Sequence, residues 1–456
     1  MGPNPWDRLA TALPNAAREP WLESMLARNA HTEYLTLYGA PRDQQAFRTN
    51  VPIVSYADLM PYLQSIQGGE RDVLFAGRPT AFERTGGTSG AAKLIPYTLE
   101  GLDDFRHALL PWLVEAALNH GVRGRAYLSL SPATRPVETV GNVPVGLEDG
   151  AYIGRSAAAV IHELTAVPLD VAGITDVNRW RAETLRYLAS ATDLELISCW
   201  SPTFLLRLLD ELPDPTSLWP RLKLISCWAS GTSQPFAAEL ARRLPHARLQ
   251  PKGLLSTECV VTVPDARDRP ILTRHGFFEF ELQQQVSLAH ELEFGSIYAV
   301  IATTASGLYR YRTGDLVRCE GYSEERQPIL EFVGRGELAS DLVGEKLTEP
   351  FVADCLGAVP GFRMLLPAQR GDGYVLATDI AAGADVHQIE QRLCRNPQYA
   401  FARRMGQLQP VQLVEINRLF DRYVDVQLQR GIRLGDIKPV ALRNECTWLE
   451  TLGESA

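Results

Sequence analysis

The chain has 456 residues, and its hydrophobic content of 45% and charged content of 22% are those of an ordinary soluble globular protein. Its net charge of -9 argues against nucleic acid or an acidic membrane surface as a general partner, because neither would attract an acidic protein. No stretch resembles a secretion signal or has enough uncharged residues in a row to cross a bilayer. We therefore expect a cytosolic protein with two or three structural units.

Cysteine and histidine spacing predicts neither a zinc site nor a disulfide framework. The seven cysteines include no CxxC pair, and the eight histidines include no HExxH or HxxxH pattern. His162, beside Glu163, is expected to be an ordinary helix or loop residue. We expect reduced, structural thiols at Cys199, Cys227, Cys259, Cys319, Cys355, Cys394 and Cys446.

Helical periodicity dominates the start of the chain. Apolar residues recur at helical spacing over residues 6–13 and 17–29. The segment from Val51 to Gly69 combines a short extended entry, a cap at Ser55 and a helix that ends at Gly68 and Gly69. We expect this helix to lead the chain towards the loop that follows.

A glycine-rich stretch, FERTGGTSGAAKLIPYT, covers Phe82 to Thr98. Its glycines permit tight turns and a close approach of the backbone, and its hydroxyl residues supply donors for phosphate oxygens. Lys93 adds a positive charge, but Leu94 excludes a Walker P-loop, which needs Ser or Thr at that position to hold magnesium. From these residues alone, a nucleotide loop of another kind and a surface turn both remain open. The residues concerned are Thr85, Gly86, Gly87, Thr88, Ser89 and Gly90.

The middle of the chain alternates strands and helices. A helix over 99–120 precedes a strand at 126–130 and a long connection rich in Pro and Gly over 132–154. Further strands are predicted at 194–199, 222–227 and 248–255, with helices at 178–191, 203–212 and 236–244. This order predicts a parallel sheet covered on both faces. Ligands bind beyond the carboxyl ends of such strands, where Ser230, Gly231, Ser256, Thr257 and Glu258 lie.

From Ile271 the pattern changes to short runs rich in aromatic and β-branched residues, which predicts antiparallel sheet or a barrel-like part. A flexible, charged stretch begins at Gly334, and strands and helices alternate again after it. We therefore predict an α/β fold in which residues 1–336 form a large domain with parallel and mixed sheets. Residues 337–456 are predicted to form a smaller α+β domain after a hinge at 334–341.

Three separated motifs stand out: RTGGTSGAAKLIPYT (Arg84 to Thr98), LLSTE (Leu254 to Glu258) and YRYRTGD (Tyr309 to Asp315). In this order they resemble the phosphate loop, the second nucleotide motif and the ribose-binding motif of one family. It is the acyl-acid amido synthetases of the auxin-responsive promoter family, a branch of the ANL adenylate-forming superfamily. Because all three occur in the family's order, the resemblance favours a nucleotide loop at the glycine-rich stretch.

The chain departs from the family pattern at two points. Thr85 and Gly86 stand where the family usually has two serines, and Cys259 follows Glu258 where a small residue is common. The hydroxyls and backbone amides after Gly86 remain as phosphate donors. The chain is also shorter than plant members and resembles their bacterial relatives, so a plant hormone is not assumed as its substrate.

The resemblance implies that ATP converts a carboxylic acid into an acyl-adenylate, with release of pyrophosphate. Glu258 would carry magnesium, a cation that takes carboxylate and phosphate oxygens. Asp315 would accept hydrogen bonds from both ribose hydroxyls. Arg335 would support the ribose or a phosphate, although a salt bridge at the sheet edge is an alternative. The remaining ATP-binding residues would be Thr85, Gly86, Gly87, Thr88, Ser89, Gly90, Lys93, Ser230, Gly231, Ser256 and Thr257.

The resemblance also implies that the smaller domain is mobile. Lys438 would swing in to neutralise the α-phosphate, and rotation about the hinge would serve two half-reactions in turn. In the second, an amine, expected to belong to an amino acid, attacks the acyl-adenylate and releases AMP. The acid pocket is expected between the helix after Lys93, residues 132–154 and the region from Trp200 to Phe204.

Two other functions are compatible with part of this pattern. A ligase would use the same adenylate but transfer the acyl group to coenzyme A or a carrier protein, although no coenzyme A site is indicated. A non-catalytic relative would bind a nucleotide or acid, but Lys93, Glu258 and Asp315 are all retained. We therefore predict a ligase that needs ATP and Mg²⁺ and joins a carboxylic acid to an amine, without nucleic acid or membrane as partner.

Overall fold

The predicted parallel sheet is present in the computed structural model, which describes residues 4–12, 20–85, 93–129, 138–147, 152, 155–336, 339–357, 361–379, 385–432 and 434–454. Its four strands lie in chain order and pair in parallel. They are Arg125–Leu128, Leu194–Ser198, Leu224–Cys227 and Arg248–Pro251. Because the strands run in one direction, their carboxyl ends share one edge of the sheet.

Both faces of this sheet are covered, as its continuous apolar strands predict. Side chains alternate between faces along each strand. Ile197 and Ile225 accordingly pack in a core with the helices on one side, while Leu196 and Leu224 pack in another on the opposite side. The helices of the first side are Val177–Ser190, Pro202–Asp210 and Gln234–Arg243, and those of the second are Pro5–Ala12, Leu99–Asn119 and Arg155–Leu164.

The helix before the glycine-rich stretch begins and ends where the sequence predicts. It spans Tyr56–Gln67, and the backbone N–H of Ser55 donates to Oδ2 of Asp58 at 2.8 Å in a capping box. Further helices in this part are Trp21–Asn29, Glu33–Leu37 and Gln44–Asn50, with the short Pro215–Leu218 later in the chain. Among the helices of the described segments, none combines the length and apolar character that crossing a bilayer requires.

The glycine-rich stretch connects two strands of a hairpin. Ala81–Arg84 pairs antiparallel with Leu94–Tyr97, and a second hairpin of Glu138–Val140 and Val143–Val145 extends the same sheet. Residues 132–154 were expected to form only a connection, so this second hairpin is a correction. Its turn, Gly141-Asn142, has φ angles of 55° and 67°, the conformation of a tight hairpin turn.

The region after residue 260 forms the predicted antiparallel sheet, with seven strands. The sequence indicated this part of the chain as barrel-like. The sheet has two edge strands, Gln285–Leu288 and Thr262–Pro264. The strands in spatial order are Gln285–Leu288, Phe277–Leu282, Ile297–Thr303, Tyr311–Tyr322, Pro328–Arg335, Pro270–Leu272 and Thr262–Pro264.

One residue of the YRYRTGD motif supports the fold rather than the cavity. Arg310 donates from Nε and Nη2 to the two oxygens of the buried Glu279, at 2.8 and 3.0 Å. Its Nη1 donates to the carbonyl oxygens of Arg48 and Val51. A buried ion pair of this kind requires that its hydrogen bonds be satisfied, and here Arg310 joins the antiparallel sheet to the N-terminal helices.

The last part of the chain contains a three-stranded sheet and its own apolar clusters. Its strands are Arg363–Pro367, Tyr374–Thr378 and Gln412–Glu415, preceded by the short pair Ala339–Ser340 and Leu347–Thr348. The helices described in this part are Glu349–Leu356, Val386–Leu393, Pro397–Arg404, Leu419–Gln429 and Trp448–Glu454, so strands and helices alternate as expected. The division at residue 336 and the hinge at 334–341 remain predictions.

This last part contacts the rest of the chain. The ring of Phe236 lies 5.3 Å from that of Phe420, and Thr232 Oγ1 donates to the carbonyl oxygen of Pro439 at 2.6 Å. Arg207 forms an ion pair with Asp421. These contacts position the segment around Lys438 against the parallel sheet.

Candidate active site

A cavity of about 380 Å³ opens at the carboxyl edge of the parallel sheet, a size typical of small-molecule sites. Each of the three motifs contributes to it or lies beside it, and the last part of the chain closes one wall. Of the predicted site residues, those that line it are Thr85, Ser230, Ser256, Thr257, Glu258, Arg335 and Lys438.

The two ends of the glycine-rich loop are joined by hydrogen bonds. The backbone N–H of Thr85 donates to the carbonyl oxygen of Lys93 at 2.9 Å, and that of Lys93 donates to Thr85 Oγ1 at 3.2 Å. The Lys93 ammonium donates to the Tyr311 hydroxyl at 3.2 Å, so the first motif contacts the third. The predicted phosphate-loop residues Gly86, Gly87, Thr88, Ser89 and Gly90 lie outside the described residues.

The second motif forms a turn on the cavity wall. The backbone N–H of Ser256 donates to the carbonyl oxygen of Cys259 at 3.0 Å, and the Tyr97 hydroxyl donates to that of Thr257 at 2.6 Å. Burial raises the pKa of Tyr56, and the nearby Glu258 carboxylate adds to this rise. Cys259 packs on the apolar core under the antiparallel sheet, so its departure from the family pattern is a matter of packing.

The third motif positions a buried carboxylate. Asp315 is 1% exposed, and its Oδ1 accepts a hydrogen bond from Arg335 Nε at 3.1 Å. Its Oδ2 is buried without a hydrogen-bond partner among the described residues. Gly314 has a φ of 81° and the pairing register shifts just after it, a distortion that redirects side chains beside functional sites.

Of the two roles considered for Arg335, the structure shows the salt bridge. Arg335 and Asp315 face each other across two paired strands that lie inside the sheet rather than at its edge, and a contact with ribose or phosphate stays a prediction. Arg335 also lines the cavity. Asp315 lies buried next to Arg335. Its unpartnered carboxylate oxygen lowers the stability of the protein unless a hydrogen-bond donor binds to it.

Lys438 lies on the cavity wall with its ammonium 4.5 Å from the centre of the Trp228 ring. Desolvation and, to a smaller extent, the Arg335 cation lower the pKa of Lys438 to about 8, and the carboxylates of Asp315, Asp436 and Glu258 oppose this shift. Lys438 is therefore close to the charged residues of the second and third motifs.

Ser230 and Gly231 follow the strand Leu224–Cys227 at the cavity edge. Ser230 lines the cavity and precedes a short 3-10 helix. Gly231 has a φ of 57° and packs near the ring of Phe332, but its atoms are not part of the cavity wall.

Aromatic and apolar side chains line a second region of the same cavity. Trp200 and Tyr152 belong to this wall. The helix Leu99–Asn119 contributes Phe105, Leu109, Trp112 and Leu113. Phe204, expected beside them, instead packs 5.9 Å from Trp180 in the core below the sheet.

Glu83 and Lys252 are among the charged residues of the wall that were missed from the sequence. Glu83 is 5% exposed, and its Oε1 accepts hydrogen bonds from the Tyr152 hydroxyl and the Leu147 backbone N–H. Lys252 is 6% exposed. Only their positions in the sequence could have indicated them as site residues. Glu83 directly precedes the first motif, and Lys252 follows a strand of the parallel sheet.

Groups of three or more His, Cys, Asp or Glu side chains that could hold a metal ion are not found in the described segments. All seven cysteines lie in these segments and are free thiols.

Two family models match the chain. The GH3 family N-terminal domain matches residues 8–216, and the GH3 family central domain matches residues 270–335. Together they cover more than half of the sequence. The chain belongs to the GH3 family. The motif-based prediction of family membership is thereby confirmed, while the resemblance to bacterial members in particular remains a prediction.

Curated GH3 relatives are similar over most of the chain. The indole-3-acetic acid-amido synthetase GH3.8 of Oryza sativa subsp. indica is 25% identical, covering 74% of this chain and 68% of its own. The jasmonoyl--L-amino acid synthetase JAR6 of Nicotiana attenuata is 23% identical, covering 73% of this chain and 71% of its own. Both relatives are named as ligases that join an acid to an amine, and the ligase prediction is confirmed at this level.

Solved structures confirm the predicted fold class. The AtGH3.15 acyl acid amido synthetase in complex with 2,4-DB has a TM-score of 0.80 at 20% identity, covering 99% of this chain and 97% of the other. A 2-hydroxyisobutyryl-CoA ligase in the postadenylation state has a TM-score of 0.51 at 14% identity, covering 91% and 96%. This GH3 chain therefore has the adenylate-forming fold, with its parallel and antiparallel sheets.

Proposed function

We propose that this GH3 protein is an ATP-dependent acyl-acid amido synthetase that forms an acyl-adenylate and transfers the acyl group to an amine, most simply that of an amino acid. The observation that carries the proposal is the meeting of three distant segments at one cavity. Glu258 and Lys438 line it, and Asp315 lies beside it with a buried, unpartnered oxygen. Relatives named indole-3-acetic acid-amido synthetase and jasmonoyl--L-amino acid synthetase support the choice of an amine as acceptor.

Adenylation requires positioning and charge neutralisation, because the acid is a poor electrophile until AMP is attached to it. Lys438 would stabilise charge on the α-phosphate, and Lys93 with the loop that follows Thr85 would hold the outer phosphates. Asp315 would receive ribose hydroxyls at its free oxygen, while Arg335 keeps the carboxylate in place.

A divalent cation fits the donors near Glu258. This carboxylate lines the cavity and makes no hydrogen bond or ion pair with the described residues, so its oxygens are available to a hard cation. When bound, Mg²⁺ would supply neutralisation of the phosphate charge. Glu258, held by the turn between Ser256 and Cys259, is the residue that we assign to it.

Two half-reactions at one cavity require that the wall formed by Lys438 move. We propose that the part of the chain after residue 336 turns about the hinge at 334–341 once the acyl-adenylate has formed. The contacts of Phe236 with Phe420 and of Thr232 with Pro439 would then be exchanged for others. This movement would open a path for the amine.

Acid-dependent exchange of pyrophosphate into ATP tests the function across a panel of aryl, alkyl and amino acids. Amino acids and coenzyme A are then offered together, and the products are identified by mass spectrometry. We expect exchange with at least one acid and an amide as the product. A thioester as the sole product contradicts the amide assignment, and no exchange with any acid contradicts adenylation.

The substitution Asp315→Asn tests the assigned ribose contact. An asparagine keeps the size of the side chain but loses the charge that strengthens hydrogen bonds from ribose hydroxyls. We expect kcat/KM for ATP to fall about 10- to 100-fold, since hydrogen bonds to charged groups contribute about 1.5–3 kcal/mol. Exchange with 2′,3′-dideoxy-ATP should be equally slow in both proteins. A normal ATP dependence in the variant would remove Asp315 from this role.

A further inference from the structure

Lys252 is a buried cation in the aromatic region of the cavity. Its ammonium lies 4.6 Å from the centre of the Trp112 ring and 5.0 Å from that of Trp200. It donates one hydrogen bond, to Ser198 Oγ at 2.7 Å. A lysine ammonium has three N–H donors, so two are left for another partner.

Among the described residues, no carboxylate pairs with Lys252. It forms no ion pair there, and its one acceptor is a neutral hydroxyl. Contacts with aromatic faces recover only part of the free energy that a buried ammonium loses on leaving water. By contrast, the buried carboxylates Glu279 and Asp315 each pair with an arginine.

The backbone holds Lys252 firmly at this position. Its N–H donates to the carbonyl oxygen of Cys227 at 2.8 Å, as a continuation of the parallel sheet. The next residue, Gly253, passes so close to Thr262 that an added Cβ would lie 1.9 Å from the carbonyl oxygen of that residue. The lysine is therefore presented by a rigid segment rather than by a mobile loop.

The indole Nε1 of Trp112, one of the rings that flank Lys252, is buried without a hydrogen-bond partner among the described residues. Trp112 lines both this cavity and a smaller cleft that contains Gln250 and Asp268. The case for a ligand therefore rests on Lys252 itself.

Lys252 is separate from the charges around Lys438. Lys438 lies against the ring of Trp228, whereas Lys252 lies against the rings of Trp112 and Trp200. The two cations therefore occupy different parts of the cavity wall, one beside the proposed phosphate site and one in the aromatic region. An acid that reaches from one to the other presents a different part of its structure to each.

We propose that Lys252 binds a second anionic oxygen group of the acid substrate, at the end remote from the carboxylate that is adenylated. The proposal rests on the proposed function and narrows its substrates to acids with such a group, in the simplest case dicarboxylic acids with an aromatic or apolar body. Trp112 and Trp200 would contact that body, and the cation would discriminate against acids that end in a methyl group.

Calorimetric titration without ATP tests this with two matched pairs: terephthalate against 4-methylbenzoate, and adipate against hexanoate. In each pair, we expect the wild-type protein to bind the diacid about 10- to 100-fold more tightly, the range of a charge-assisted hydrogen bond. Lys252→Met should remove this preference, while Lys346→Met, at an exposed lysine away from the cavity, should keep it.

Equal affinity of the wild-type protein for both members of each pair, or no detectable binding of either diacid, would overturn the proposal without any variant. A loss of the same factor for both acids in Lys252→Met would also overturn it, since the lysine would then bind the adenylated carboxylate. Pyrophosphate exchange with the same acids reports separately on the proposed function. A binding preference without exchange would leave this site standing and remove the adenylation assignment.

Discussion

Acid-dependent pyrophosphate exchange should fall about 1000-fold in Glu258→Ala, since a bound metal contributes several kcal/mol of charge stabilisation. The same variant should keep its melting temperature, because Glu258 is only half-buried and makes no hydrogen bond or ion pair with the described residues. Exchange is measured as a function of Mg²⁺ concentration with one fixed acid. In the variant, saturating Mg²⁺ should restore little of the lost activity.

The exposed Glu70 offers a matched control, since Glu70→Ala removes the same charge from a surface away from the cavity. This control should exchange at the wild-type rate. Wild-type exchange in Glu258→Ala itself would take Glu258 out of the metal role. A large drop in melting temperature would instead indicate that the carboxylate supports the turn from Ser256 to Cys259.

The sequence was sufficient for the parts of the fold whose pattern is local. The strands Leu194–Ser198 and Leu224–Cys227 are short apolar runs between amphipathic helices, so their period and order predict a parallel sheet. The capping box at Ser55 is similarly a local signal. The hairpin over residues 138–145 was missed because its strands are only three residues long and half-exposed, and its Gly-Asn turn was taken for part of a loop.

The residues that line the cavity were harder to predict from the sequence than the fold, because tertiary contacts decide which side chains face the cavity. Lys252 stands between Pro251 and Gly253 without any pattern, and it is buried by indoles from segments 140 and 52 residues earlier, at Trp112 and Trp200. Arg310 shares a motif with Asp315, yet it pairs with Glu279 away from the cavity. Arg310 precedes the strand Tyr311–Tyr322 that holds Asp315 and has a φ of 47°, so the two side chains of one motif have different surroundings.

The substitution Lys438→Met should lower acid-dependent pyrophosphate exchange about 100- to 1000-fold. This is the range expected when a hydrogen-bond donor is removed from a site where negative charge develops in the transition state. Methionine retains much of the length and apolar stem of lysine, so contact with the Trp228 ring is preserved. Amide formation from a chemically prepared acyl-adenylate should continue near the wild-type rate, because the proposed rotation moves Lys438 away before that step. An equal loss of rate in both half-reactions would contradict the proposal that Lys438 acts in adenylation and not in amide formation.

The pH dependence gives an independent measure of the same residue. Desolvation lowers the pKa of Lys438 to about 8, so the cation that adenylation needs is present below about pH 8 and lost above it. In the wild-type protein, kcat/KM for exchange should therefore fall as the pH rises through 8. Bound phosphates favour the charged form, so kcat should fall only at higher pH. Lys438→Arg, whose guanidinium stays charged, should lose this alkaline fall even if its rate is lower. The same alkaline fall in Lys438→Arg would assign it to another group, and Lys252, with a similarly lowered pKa, would be the next residue to test.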